Sequence, residues 1–276
     1  MNKNNVAVFS VLVFLLLILT AGCTQTTNPT PQGTATPTSA GTVTSEKVFV
    51  IGVDDAYPPF TYTDANGQVS GFDYDCANLI ARDQDIKVIF KSMNREDLIT
   101  ALNNGEIDII YSAYSKTPER AESMLFSDVY WVTNKAFAVK TGSALKMEDI
   151  NRGRAIIGAQ AGSTSADWVK TELIDTGRMP ATSLQVYETL EDALDVLQTT
   201  TKLDTVIADV QAIKLNMNGR SLNVLGTVPS GEEYVIGISK NHPELVEKFN
   251  TGLANLKKSG DWDLMVAKYG LDTKKN

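Results

Sequence analysis

Short apolar runs alternate with amphipathic stretches from Val48 onwards. Val48–Val53 is apolar at every position but Gly52, the pattern of a strand covered on both faces. Gly71–Asp83 then places Cys76, Leu79 and Ile80 at helical spacing, and a helix is predicted there. Strand Lys87–Phe90, helix Asp97–Asn103, strand Ile107–Tyr111 and helix Thr117–Met124 complete a first set. A second set reads as strands Ala155–Ala159, Leu184–Tyr187 and Thr205–Ala208, alternating with helices Thr164–Leu173, Leu190–Thr199 and Val210–Asn216. Such alternation predicts an α/β protein with mainly parallel sheets flanked by helices. Two further strand-like runs, Lys135–Val139 and Tyr234–Ser239, bracket the second set. If both cross between the sets, the chain forms two lobes, 47–132 with 236–276 and 133–235, joined by a two-strand hinge. Ligands of open α/β sheets bind at the carboxyl ends of strands, and here two such edges would face each other across a cleft.

The N-terminal region has another character. Lys3 precedes an unbroken run of apolar and small residues, Val6 to Thr20, and then Ala21-Gly22-Cys23. The run is short of the roughly 20 apolar residues that span a bilayer, so residues 1–22 read as a signal peptide. Leu19-Thr20-Ala21-Gly22-Cys23 resembles a lipoprotein processing site, with Cys23 the lipidated residue, although Thr20 stands where Leu, Val or Ile is commonest. The alternative is an uncleaved anchor. Either way the remainder is expected outside the cell, held at the membrane. Residues 23–46, rich in Thr, Pro, Ser and Gly, contain too little apolar surface for a core and read as a linker.

Composition removes several classes of function. A formal net charge of −8 disfavours nucleic acid and anionic lipid as ligands. With Cys23 assigned to lipid, Cys76 has no disulfide partner, and it reads as a buried thiol on its helix. One histidine, His242, stands just before a helix start. These residues cannot assemble a zinc site or a Ser-His or Cys-His catalytic pair, so no metal or cofactor is expected.

Three strand-to-helix turns carry candidate chemistry. In the first, Ser112 and Ser115 offer hydroxyls, and Thr117-Pro118-Glu119 is a helix start with an N-cap and Pro at the first position. Arg120 in that first turn opposes the helix dipole. It is either an exposed residue paired with Glu119, Glu122 or Asp128, or a bidentate fork for an anion such as a carboxylate. The second turn, Gly162-Ser163-Thr164-Ser165, is either plain capping or a second anion-friendly start; it lacks the spacing of a phosphate loop. At the third, Asp209 is either an N-cap or a carboxylate facing an ammonium group in the cleft.

The motifs in order resemble the family 3 extracellular solute-binding proteins of the polar-amino-acid type, receptors of ATP-driven (ABC) importers. They are Ile51-Gly52-Val53-Asp54-Asp55-Ala56-Tyr57-Pro58-Pro59-Phe60, Gly71-Phe72-Asp73-Tyr74-Asp75, Gly105-Glu106-Ile107-Asp108, Thr117-Pro118-Glu119-Arg120, Phe126-Ser127-Asp128-Val129-Tyr130, Gly162-Ser163-Thr164 and Lys258-Ser259-Gly260-Asp261-Trp262. The resemblance spans about residues 47–273, and it implies a monomeric clamshell that closes on a free amino acid and presents it to the importer's membrane subunits. By position, Arg120 is the carboxylate-binding arginine, assisted at Ser112, Ala113 and Ser115. Thr164, beside Ser163, holds the carboxylate from the second lobe, and Asp209 holds the α-ammonium. Tyr57 packs on the ligand side chain, and Asp54 reaches its far end. Two positions depart from the pattern: Ala113 replaces a common Ser, and Arg95 stands where an aromatic usually faces Tyr57. Arg95 either faces the ligand or bends outward to Glu96 or Asp97. Facing inward it disfavours a basic ligand against acidic or neutral polar ones. A stand-alone sensor and a cyclohexadienyl-dehydratase-like enzyme are the alternatives, the latter resting on Asp54, Glu96 or Tyr114 as acid or base.

Overall fold

In the computed structural model, residues 47–271 are described; the expected signal peptide, Cys23 and the linker to residue 46 lie outside them. The first lobe begins with β1 (Val48–Val53) and a small antiparallel meander, β2 (Ala56–Tyr57), β3 (Thr61–Thr63) and β4 (Val69–Ser70). Then come α1 (Phe72–Asp83), β5 (Lys87–Ser92), α2 (Leu98–Asn104), β6 (Ile109–Ile110), α3 (Pro118–Ala121) and β7 (Leu125–Phe126). β8 (Trp131–Lys140) carries the chain into the second lobe, followed by α4 (Met147–Asn151), β9 (Ile157–Gln160), α5 (Thr164–Val169), β10 (Leu184–Tyr187), α6 (Leu190–Thr199), β11 (Thr205–Asp209) and α7 (Val210–Asn216). β12 (Leu222–Tyr234) leads back, and β13 (Gly237–Ile238), α8 (Glu244–Ser259) and α9 (Asp261–Lys268) end in the first lobe.

The protein is α/β with two lobes, and its sheets are mixed. The first runs β5-β1-β6-β13-β7 and the second β10-β9-β11-β8-β12. In each, four strands run one way and one, β13 in the first sheet and β8 in the second, runs against them. "Mainly parallel" thus holds for strand direction, while only half of the ladders in each sheet are parallel. The connecting strands supply the rest, because a chain that crosses and returns arrives running the other way. β8 and β12 pair where they cross, Trp131 opposite Tyr234 and Thr133 opposite Glu232. The expected single strand Tyr234–Ser239 is divided: Tyr234 ends β12, while Gly237–Ile238 joins the first sheet.

Helix packing follows from the apolar stripes. On α1, Phe72, Cys76 and Ile80 recur every fourth residue and are fully buried, against Phe49, Phe249 and Leu253 in the same core. Each such side chain contributes about 1.5–3 kcal/mol by leaving water. Cys76 lies with its Sγ 3.9 Å from Met265 Sδ, and burial pushes its thiol well up, as befits a structural residue. The expected helix Thr117–Met124 is a single turn, since Met124 folds into a cluster with Leu102, Ile110 and Tyr114. His242 precedes α8 and bonds Lys47 Nζ at 2.7 Å and Asp108 at 3.2 Å on the surface. Among the described residues no helix is long and apolar enough to cross a membrane.

Candidate functional site

The carboxyl ends of both sheets converge on one cleft. Asp54 follows β1, and the Ser112–Arg120 segment follows β6. From the other lobe, Gln160 ends β9, Ser163 and Thr164 follow it, and Asp209 ends β11. Side chains link the lobes directly: Gln160 Nε2 donates to Asp54 Oδ2 at 2.8 Å, and the Tyr57 hydroxyl donates to Asp209 Oδ2 at 2.6 Å. The Arg120 guanidinium donates to Gly162 O at 3.1 Å. Gly162 has a φ of +67°, and a Cβ there would meet Glu96 Cα at 2.8 Å, so both its conformation and this close approach require glycine.

Arg120 is 6% exposed and does not pair with Glu119, Glu122 or Asp128. Thr117 caps α3 by accepting from the Arg120 N–H, and this turns the side chain inward. Its guanidinium donates to Ser115 O at 2.8 Å and lies 3.9 Å from the Tyr114 ring centroid, a cation–π distance. Burial lowers its pKa. A cation held by carbonyls and a ring, without a hydrogen-bonded carboxylate, retains its attraction for an anion.

Asp209 opens α7 without capping it. Instead Oδ2 accepts from Tyr57 and from Tyr234, the latter at 2.5 Å, while the buried Oδ1 has no hydrogen-bond partner. Lys135 Nζ is the cation beside it, 3.7 Å from Oδ1. Burial, reinforced by the charge of Glu232, raises the Asp209 pKa against the opposing effects of Lys135 and the tyrosines.

The second turn divides between its two readings. Ser163 is the cap: its hydroxyl accepts from the Ala166 N–H and donates to Gln160 O at 2.7 Å. Thr164 faces the cleft, where its hydroxyl donates to Glu232 and receives Lys135 Nζ at 3.0 Å. Ser115 also donates to Glu232. Ser112 is fully buried within the first lobe, accepting from the Asp54 N–H at 3.0 Å and bonding Thr61 at 2.8 Å. Ala113 is buried beside it with a φ of +45°, and its N–H donates to Asp73 at 2.5 Å.

Arg95 turns inward, not outward to Glu96 or Asp97. It donates to Ser112 O at 3.1 Å and Ala113 O at 2.8 Å, faces Tyr57 at 5.1 Å and Tyr114 at 5.8 Å, and lies 3.5 Å from Asp54. Although burial opposes its charge, Asp54 and the neighbouring tyrosines and Asp209 raise its pKa overall. Asp54 is raised by burial, with Arg95 acting against that rise. At this end of the cleft an acid and a base of the same lobe neutralise each other.

Lys135, Glu232, Tyr234 and Gln160 complete the site and were missed from sequence. Lys135 opens the apolar run Lys135-Ala136-Phe137-Ala138-Val139, and Gln160 closes another, Ile156–Ala159. A polar residue at the end of a buried strand was the available signal. Nothing local distinguishes Glu232 from Glu233, yet only Glu232 points into the cleft.

Two α/β lobes meeting over a charged cleft define a two-lobed ligand-binding architecture. The chain belongs to the bacterial extracellular solute-binding proteins, family 3, whose model matches residues 49–272. A probable histidine-binding protein of Neisseria gonorrhoeae is 28% identical over 81% of this chain and 83% of its own. The ABC transporter glutamine-binding protein of Bacillus subtilis is 29% identical over 74% of each. An ancestral arginine-binding protein bound to arginine has 32% identity and a TM-score of 0.73, covering 80% of this chain and 97% of that one. These relatives are named as binding proteins and not as enzymes.

Proposed function

We propose that this protein captures a free polar amino acid outside the cell and delivers it to an ATP-driven importer. One observation carries the reading: Arg120 and Asp209, opposite in charge, are both buried where the lobes meet, Arg120 in the segment after β6 and Asp209 at the end of the equivalent strand β11. An α-carboxylate on Arg120 and an α-ammonium on Oδ1 of Asp209, which accepts no hydrogen bond, would neutralise both. A ligand lacking either group leaves a buried charge unmatched, and this is the source of selectivity. Binding proteins for histidine, glutamine and arginine among the relatives support the ligand class.

The side chain of the ligand meets Tyr57, Asp54 and Arg95. Arg95 already faces Tyr57 and is paired with Asp54, so a basic side chain would meet a like charge and a neutralised acid. A neutral polar amino acid fits best. Lipidation of Cys23 would tether the protein outside the membrane, and the linker 23–46 would give it reach. A thermal-shift screen of the purified protein against all twenty amino acids tests the ligand class. A true ligand at 100 times its Kd adds about 2.7 kcal/mol of stability; a blank screen would sink the reading.

A further inference from the structure

The polar groups of the two lobes are already bridged by a charge pair belonging to the protein itself. Glu232 Oε1 accepts from the hydroxyls of Ser115, in the first lobe, and Thr164, in the second, while Oε2 pairs with Lys135 Nζ. Lys135 in turn lies within reach of Thr164, Ser165 and Asp209. Glu232 thus sets a carboxylate between Ser115 and Thr164, two positions that the family resemblance gives to a ligand's carboxylate. Both side chains are at least 92% buried, with exposures of 4% and 8% for Lys135 and Glu232.

The two partners are anchored differently. Lys135 stands in the interior strand β8, opposite Asp209 of β11 on one side and Val228 of β12 on the other. Glu232 follows a break in register between Val228 and Glu232, where Pro229, Ser230 and Gly231 are exposed and Gly231 has a φ of +57°. A carboxylate at the edge of such an irregularity can be withdrawn with less disturbance to the sheet than a side chain of the interior strand. We propose that Glu232 is a tethered stand-in for the ligand's carboxylate, and that on binding it yields Ser115, Thr164 and Lys135 to that carboxylate. Lys135 is thereby a ligand-binding residue, and Glu232 a competitor that sets the affinity and links the lobes in the free protein. The proposal rests on reading Arg120, Thr164 and Asp209 as holders of an amino acid's α-groups.

The test is calorimetry of the parent, Glu232→Gln and Glu232→Ala against the amino acid that binds best. Interlobe distance in the free protein is measured alongside by paired fluorescent labels, one on each lobe. Loss of the competitor should tighten binding at least about tenfold and widen the average interlobe distance before ligand is added. Adding Lys135→Met to Glu232→Gln should abolish the gain. Weaker or unchanged binding in both Glu232 variants overturns the proposal, as does a gain that survives Lys135→Met. If neither parent nor variant binds any amino acid, the amino-acid reading fails. In that case an unchanged interlobe distance in the free variants overturns the stand-in as well, and a widened one supports it.

Discussion

The two lobes share a strand order, β5-β1-β6-β13-β7 and β10-β9-β11-β8-β12, yet their equivalent turns carry opposite chemistry. In the segment after the third parallel strand the first lobe presents Arg120, and at the end of the equivalent strand the second presents Asp209. After the first parallel strand one lobe presents the acid Asp54 and the other the neutral Gln160 and Thr164. A repeated scaffold therefore sets positions, and the residues placed on it set polarity. That opposed polarity suits a molecule carrying both charges, as the proposed function requires. The lobes differ too in how their charges are matched. Arg95 and Asp54 are paired within the first lobe, whereas Glu232 reaches across to Ser115.

Removing one member of the opposed pair should give the largest effect. Arg120→Ala is expected to cost about 3–5 kcal/mol of ligand affinity, the scale of deleting one partner of a buried charged contact, measured by calorimetry. Parent-like affinity for every amino acid would show that the carboxylate is held elsewhere. Asp209→Asn should be somewhat milder and carries a pH signature. The Asp209 pKa is raised by burial, and an ammonium ligand favours its ionised form. Parent affinity should therefore fall as the pH is lowered into the range where Asp209 takes up a proton, and the Asn variant should lose that dependence.

The close approach of the lobes offers a smaller perturbation. Gly162→Ala places a methyl against the Glu96 backbone at a positive φ. About 1–3 kcal/mol of affinity should be lost, and the strained φ should lower the thermal melt of the free protein as well. A variant binding as tightly as the parent would mean that binding does not require this approach. Smallest in its effect on binding is Asp73→Asn, which probes the first lobe alone. Burial raises the Asp73 pKa to about 7, despite hydrogen bonds from the Ala113 N–H and the Tyr130 hydroxyl at 2.9 Å. The neutral acid is thus favoured in the folded state. Its stabilising contribution is fully present below about pH 4 and is lost as the pH rises through about 7. Melting temperatures between pH 5 and 8 should slope downward less in Asp73→Asn than in the parent; an equal slope would assign the titration to another group.

Much of this was legible along the chain because strands and helices are encoded locally. Helices Leu190–Thr199 and Val210–Asn216 begin and end where their patterns do, since residues three and four apart decide which face is apolar. The placement of Arg120, Thr164 and Asp209 at strand ends followed from the βα alternation. The antiparallel half of the first sheet was not legible, because β7 and β13 are two-residue strands defined by their partners and not by a pattern. The roles of Ser163 as cap and of Ser112 as a strut under Asp54 also depend on where neighbours point.

By itself the amino-acid sequence determined the α/β class, the two sets of βα units and the charged residues at their ends. Only the tertiary structure decided that Arg95 turns inward to Asp54 and that Glu232, 97 residues from Lys135 in the chain, lies against it. Charge pairing in a buried cleft depends on distance and desolvation between segments brought together by the fold, and no local pattern records either.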